Sequence, residues 1–66
     1  MNLIVNGKEV ILNQATSLEE VLSELGYRGS AFAVAVNMTV VAQALYKITE
    51  LVEGDQIEIL TPMQGG

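Results

Sequence analysis

A two-layer α+β domain, one helix laid across one sheet, is the fold class that the sequence predicts. Three observations carry it. Two β-prone runs flank Asn6-Gly7 near the start, a single capped amphipathic stretch follows, and the later β-prone runs are separated by turn signals without a second amphipathic helix. One apolar helix stripe has to be buried, and one face of one sheet is the surface available to bury it. Sixty-six residues make one domain, near the lower size limit for folding unaided.

The first element is a hairpin. Leu3-Ile4-Val5 is β-prone, and Asn6-Gly7 best tolerates the positive φ of a type I′ turn. Lys8 to Leu12 then returns as the second strand. Thr16 and Ser17 are both good N-caps, with Glu19 and Glu20 each three residues on, so either pair makes a capping box. Leu18, Val21, Leu22 and Leu25 recur at helical spacing and form one apolar stripe, and Gly26 stands where a left-handed C′ residue belongs. The helix is expected from Ser17 to Leu25.

From Ala31 to Val36 small and large side chains alternate, with Phe32, Val34 and Val36 on one face of a third strand. Asn37-Met38 is a tight turn into Thr39-Val40-Val41, although methionine is unusual where positive φ is wanted. Residues 42–52 read as a loop with one helical turn around Ala44-Leu45-Tyr46. Glu53-Gly54-Asp55 is a turn, and Gln56 to Leu60 alternates polar and apolar as a half-buried strand does. Pro62 ends the ladder by removing a backbone donor. The expected order is ββαβββ, with a domain over residues 1–62 and a flexible tail over 63–66.

Composition narrows the function. The chain has no cysteine and no histidine, so neither a disulfide nor a Cys/His metal cage is available. Eight carboxylates against Lys8, Arg28 and Lys47 give a net charge of −5, which argues against nucleic acid and fits steering toward a basic protein surface. Half the residues are hydrophobic, enough for a core with surplus for an exposed apolar patch. The start carries neither a basic flank nor a long apolar run, so a cytoplasmic, membrane-free protein is expected.

A catalytic constellation is missing. Activated nucleophiles usually stand beside a base, commonly histidine, and none is present. Glu19-Glu20 is accounted for by a helix N-terminus and Glu53 with Asp55 by a turn. The glycines have neither the spacing nor the lysine of a phosphate loop. No enzyme, no bound cofactor and no metal are therefore expected.

What remains is the end of the sequence, Met63-Gln64-Gly65-Gly66. Glycine forms about 7% of average sequence, so a terminal pair arises by chance roughly once in 200 chains. Residues beyond Leu60 can reach roughly 20 Å at about 3.3–3.6 Å each, far enough to enter a partner's active site. Gly65 and Gly66 have no side chain to obstruct a narrow channel. Joined to AMP, the Gly66 carboxylate would become an acyl adenylate that a sulfur nucleophile can attack. With no thiol in the chain, the sulfur would ride on the carboxylate as a thiocarboxylate.

The sequence resembles the ThiS family of sulfur carriers in thiamine biosynthesis, within the β-grasp superfamily that includes MoaD and ubiquitin. The resemblance spans the whole length and rests on Asn6-Gly7, the capped helix, Ala35-Val36-Asn37 with Val40-Val41, Glu53 to Ile59, and Gly65-Gly66. It implies a β-grasp mixed sheet with one packed helix and the last strand central beside the first. It also implies that a ThiF-like adenylyltransferase activates Gly66 with ATP and magnesium. A persulfide donor fed by a cysteine desulfurase would supply sulfur, and a ThiG-like thiazole synthase would accept it. Met63 and Gln64 would line the entry channel, or Met63 would pack back on the sheet. Ala42-Gln43 and Tyr46 depart from the Pro-Arg and tryptophan of many relatives, in a region expected to touch partners. A MoaD-like carrier for molybdopterin and a ubiquitin-like modifier or interaction module are the alternatives.

Overall fold

The computed structural model describes residues 1–29 and 31–61. Its elements are β1 (Asn2–Val5), β2 (Lys8–Ile11), α1 (Leu18–Glu24), β3 (Ala33–Val36), β4 (Thr39–Val41), a 3-10 helix (Gln43–Ile48) and β5 (Gln56–Leu60). The five strands form one mixed sheet in the order β2-β1-β5-β3-β4. β1 and β5 run parallel, and the other three pairings are antiparallel. The last strand therefore occupies the centre of the sheet, as the resemblance implied.

Each hairpin turns on an asparagine in the left-handed region. Asn6 (φ 51°) and Gly7 (φ 83°) make the first turn, and Asn37 (φ 50°) and Met38 (φ 71°) the second. Two consecutive positive φ values give the type I′ geometry whose twist matches the flanking strands.

Ser17 is the helix cap. Its hydroxyl accepts the Glu20 N–H at 3.2 Å, while Glu20 Oε1 accepts the Ser17 N–H at 3.2 Å. Thr16 joins from outside, its N–H donating to the same oxygen at 2.9 Å. The helix ends on Gly26 (φ 91°): Tyr27 N–H donates to the Leu22 carbonyl and Gly26 N–H to that of Ser23. Those two bonds are the Schellman pattern that glycine at C′ permits.

Leu3 and Val5 of β1, Val34 of β3 and Ile57 and Ile59 of β5 meet Leu18, Val21 and Leu22 of α1 in the core. Leu12, Ala15, Tyr46 and Leu51 complete it from the connecting segments. Leu25, expected in the stripe, is half-buried against this core.

Several expectations are revised. The helical turn expected around Ala44-Leu45-Tyr46 is a six-residue 3-10 helix, closed at its end by Thr49 Oγ1 donating to the Leu45 carbonyl at 2.7 Å. Its tertiary role is to bury Tyr46, which is 7% exposed, so most of the Tyr46 side chain packs in the core and only a small part of it reaches the surface. Ala42 and Gln43 are exposed as expected. β3 starts at Ala33, two residues later than the alternation suggested, and β2 stops at Ile11, leaving Leu12 as a buried residue beyond the strand. Pro62 and the expected boundary between residues 62 and 63 lie outside the described residues.

Candidate functional site

The four residues expected to enter a partner, Met63, Gln64, Gly65 and Gly66, lie outside the described residues. The structure places the strand that leads to them. β5 is flanked by β1 on one side and β3 on the other, with Ala33 opposite Leu60 as the last register pair. Ile57 is fully buried and Ile59 nearly so.

Both turn asparagines also hold this strand. After Val5 the chain turns away from the parallel ladder, and Asn6 N–H makes its last main-chain bond, to the Ile57 carbonyl at 2.8 Å. Ile59 N–H would next need the carbonyl of Asn6. It donates instead to the side-chain oxygen, Asn6 Oδ1, at 2.8 Å. Asn37 does the same at the other end of the strand: its N–H donates to the Gln56 carbonyl at 2.7 Å, and its Oδ1 accepts the Gln56 N–H at 3.0 Å. In each case a side-chain carbonyl replaces a main-chain one that the left-handed turn has rotated out of reach. Sequence reasoning identified both asparagines as turn residues and missed this second role, for which only the side chain's amide carbonyl was a signal.

The carboxylate pairs sit where helix and turn chemistry put them. Hydrogen bonds from the Thr16 and Ser17 N–H groups and the Thr16 hydroxyl hold the Glu20 carboxyl below its usual value of 4.5. Glu53 Oε2 accepts the Asn2 N–H at 3.0 Å, and Asp55 accepts from Val52 N–H at 2.8 Å and Asn37 Nδ2 at 2.9 Å. Among the described residues no group of His, Cys, Asp or Glu is placed to hold a metal ion. No helix of the described residues is long and apolar enough to cross a membrane.

Two surface features stand out. On the open face of the sheet, register places Leu60 beside Ala33, and Val40 and Glu58 beside Ala35. Leu60 and Val40 are 71% and 76% exposed, an apolar strip of the kind that the hydrophobic surplus suggested. On the helix side, a groove of about 570 Å³ lies between α1, the Tyr27–Gly29 turn and the 3-10 helix. The sequence reading did not find this groove. Its signal was the adjacency of each tyrosine to a cation, Tyr27-Arg28 and Tyr46-Lys47.

Comparison with known proteins adds the following. The ThiS family model matches residues 2–66. The crystal structure of a thiamine biosynthesis protein (ThiS) from Geobacter metallireducens superposes with a TM-score of 0.83 at 33% identity, covering all of both chains. A solution structure of a thiamine biosynthesis protein from the same organism gives 0.80 at 34% identity, covering all of this chain and 88% of that one. A thiazole synthase of Paramagnetospirillum magneticum is 32% identical over the whole of this chain, which spans only 20% of that protein's length. The uncharacterised protein ycf40 of Porphyra purpurea is 26% identical over 93% of its length.

Proposed function

The chain belongs to the ThiS family, and from that premise we propose that it is a sulfur carrier for thiamine biosynthesis, with Gly66 as the loaded residue. The observation that carries this reading is that Gly65 and Gly66 follow, five and six positions on in the sequence, Leu60, the last residue of a strand fixed at the centre of the sheet. A rigid body that ends in an unhindered acyl group suits delivery of that group to an active site on another protein.

The chemistry balances as follows. A Gly66 carboxylate oxygen attacks the α-phosphorus of ATP, held with magnesium by a ThiF-like adenylyltransferase, and pyrophosphate leaves. The terminal sulfur of a persulfide donor, supplied by a cysteine desulfurase, attacks the acyl carbon, and AMP leaves. A second thiol attacks the resulting acyl disulfide at the donor's sulfur. The Gly66 thiocarboxylate is released, and the two thiol sulfurs are left joined as a disulfide. Met63 and Gln64 would occupy the entrance channel. A ThiG-like thiazole synthase would take the sulfur, a reading supported by the likeness of this chain to part of a thiazole synthase. Catalysis would reside in these partners, with no cofactor or metal bound by this chain.

Intact-mass measurement on the protein from its own cells tests the reading. A fraction with one oxygen replaced by sulfur is expected, with fragmentation placing the change on Gly66 and not on an oxidised methionine. A natural gene product that continues past Gly66 without processing would sink it. So would a deletion strain that makes thiamine normally but has lost molybdoenzyme activity.

A further inference from the structure

We propose that the groove between α1 and the 3-10 helix is a docking site for an acidic segment of the adenylating partner, a proposal that rests on the carrier reading above. All three aromatic residues of the chain, Tyr27, Phe32 and Tyr46, line it. Phe32 stacks on Tyr46 at 6.4 Å between centroids and meets Tyr27 edge-on at 5.6 Å. Two of the three cations, Arg28 and Lys47, line the same groove against a single carboxylate, Glu19. In a molecule with net charge −5, this is a local reversal of sign. Both cations are exposed, and neither takes part in the side-chain hydrogen bonds of the described residues. The site thus offers an aromatic floor with two exposed positive charges, which suits a segment carrying an apolar anchor between carboxylates.

Its position fits an encounter with the protein that takes up the chain's end. Phe32 directly precedes Ala33, and Ala33 pairs with Leu60, the last residue of β5. β4 also ends at this edge, where Val41 pairs with Val34 and leads into the 3-10 helix. The groove therefore opens at the end of the sheet from which residues 61–66 continue. The rest of the acidic surface steers toward basic regions of the partner, and this groove fixes orientation by accepting the opposite sign.

The test uses the full chain with its adenylyltransferase, ATP and magnesium, reading pyrophosphate release at low ionic strength. Equilibrium binding to the same enzyme without ATP is measured alongside. The double variant Arg28→Glu/Lys47→Glu is expected to raise KM and Kd roughly tenfold with kcat within about twofold, since exposed charge pairs act mainly on association. Lys8→Glu, which removes the one cationic side chain outside the groove, should change little, and Glu19→Gln should lower KM. All four positions are exposed, and an unchanged amide fingerprint spectrum checks that the variants fold. A double variant with KM and Kd within about twofold of the parent overturns the proposal, as does an equal effect from Lys8→Glu. A parent chain that releases no pyrophosphate but binds the enzyme overturns the carrier reading. If in that case the double variant still binds more weakly, the groove survives as a docking site.

Discussion

At the first hairpin, Asn6 must satisfy the turn and the neighbouring strand together. A left-handed φ of 51° favours Asn or Gly, and the bond from Ile59 N–H requires an acceptor that glycine lacks. Asn6→Ala should therefore cost about 2 kcal/mol, roughly half from the strained φ and half from the lost hydrogen bond. Asn6→Gly should recover the conformational half. Urea denaturation of the three proteins separates the two effects, and equal losses in both variants would show that φ contributes nothing. Met38 is the converse case. It holds φ 71° with a side chain that is 91% exposed, so it has strain with little packing to offset it. Met38→Gly should stabilise the protein by about 0.5–1 kcal/mol, the relief of strain outweighing glycine's greater freedom in the unfolded chain. A lower urea midpoint in that variant would contradict the strain.

Among the elements, α1 depends most on its ends. It has seven residues, well short of the length at which isolated helices hold together in water. Its stability comes from the Leu18, Val21 and Leu22 face and from the reciprocal cap between Ser17 and Glu20. The backbone also stitches this end down: Leu18 N–H donates to the Thr49 carbonyl and Leu51 N–H to that of Thr16. Because folding lowers the Glu20 carboxyl below its usual 4.5, the unfolded chain takes up that proton first as the pH falls. Its stabilising contribution is complete above that value and is lost as the pH drops through the folded value. Urea midpoints of the parent and Glu20→Gln, followed from about pH 7 to pH 3, should therefore converge at the acid end. A constant gap across that range would remove the linkage.

For the molecule as a whole, β5 joins stability to the proposed function. A 66-residue domain has roughly 3–10 kcal/mol of stability to lose. Ile57 is fully buried on the central strand, and Ile57→Ala should cost about 3–4 kcal/mol, a large part of the total. The variant should be substantially unfolded near 37 °C by circular dichroism, and native-like melting would mean that the core repacks around the gap. Deletion of Gly66 should do the opposite. The melting temperature is expected to be unchanged while all adenylation is lost, and residual pyrophosphate release would place the reacting carboxylate elsewhere.

Local features were legible in the sequence because local chemistry decides them. Asn6-Gly7 dictates a type I′ turn, Thr16 or Ser17 with a glutamate three residues on a cap, Gly26 a left-handed stop, and the Leu18 to Leu25 spacing a buried helix face, while the structure chose Ser17 with Glu20 as the capping pair. The alternation in Gln56 to Leu60 dictates a half-buried strand. Together with the alternation from Ala31 to Val36 and the Asn37-Met38 turn, these signals lead to the ββαβββ order. The role proposed for the diglycine rests on residue type and position alone. Tertiary structure decided what depends on distant partners. It placed Tyr46 in the core through a 3-10 helix that carries no periodic signal, and it turned two turn asparagines into acceptors for β5. It also gathered aromatics and cations from residues 27–47 into one groove. Hydrophobic spacing specifies which face of an element is buried, whereas the neighbour that buries it emerges only when strands distant in sequence pair.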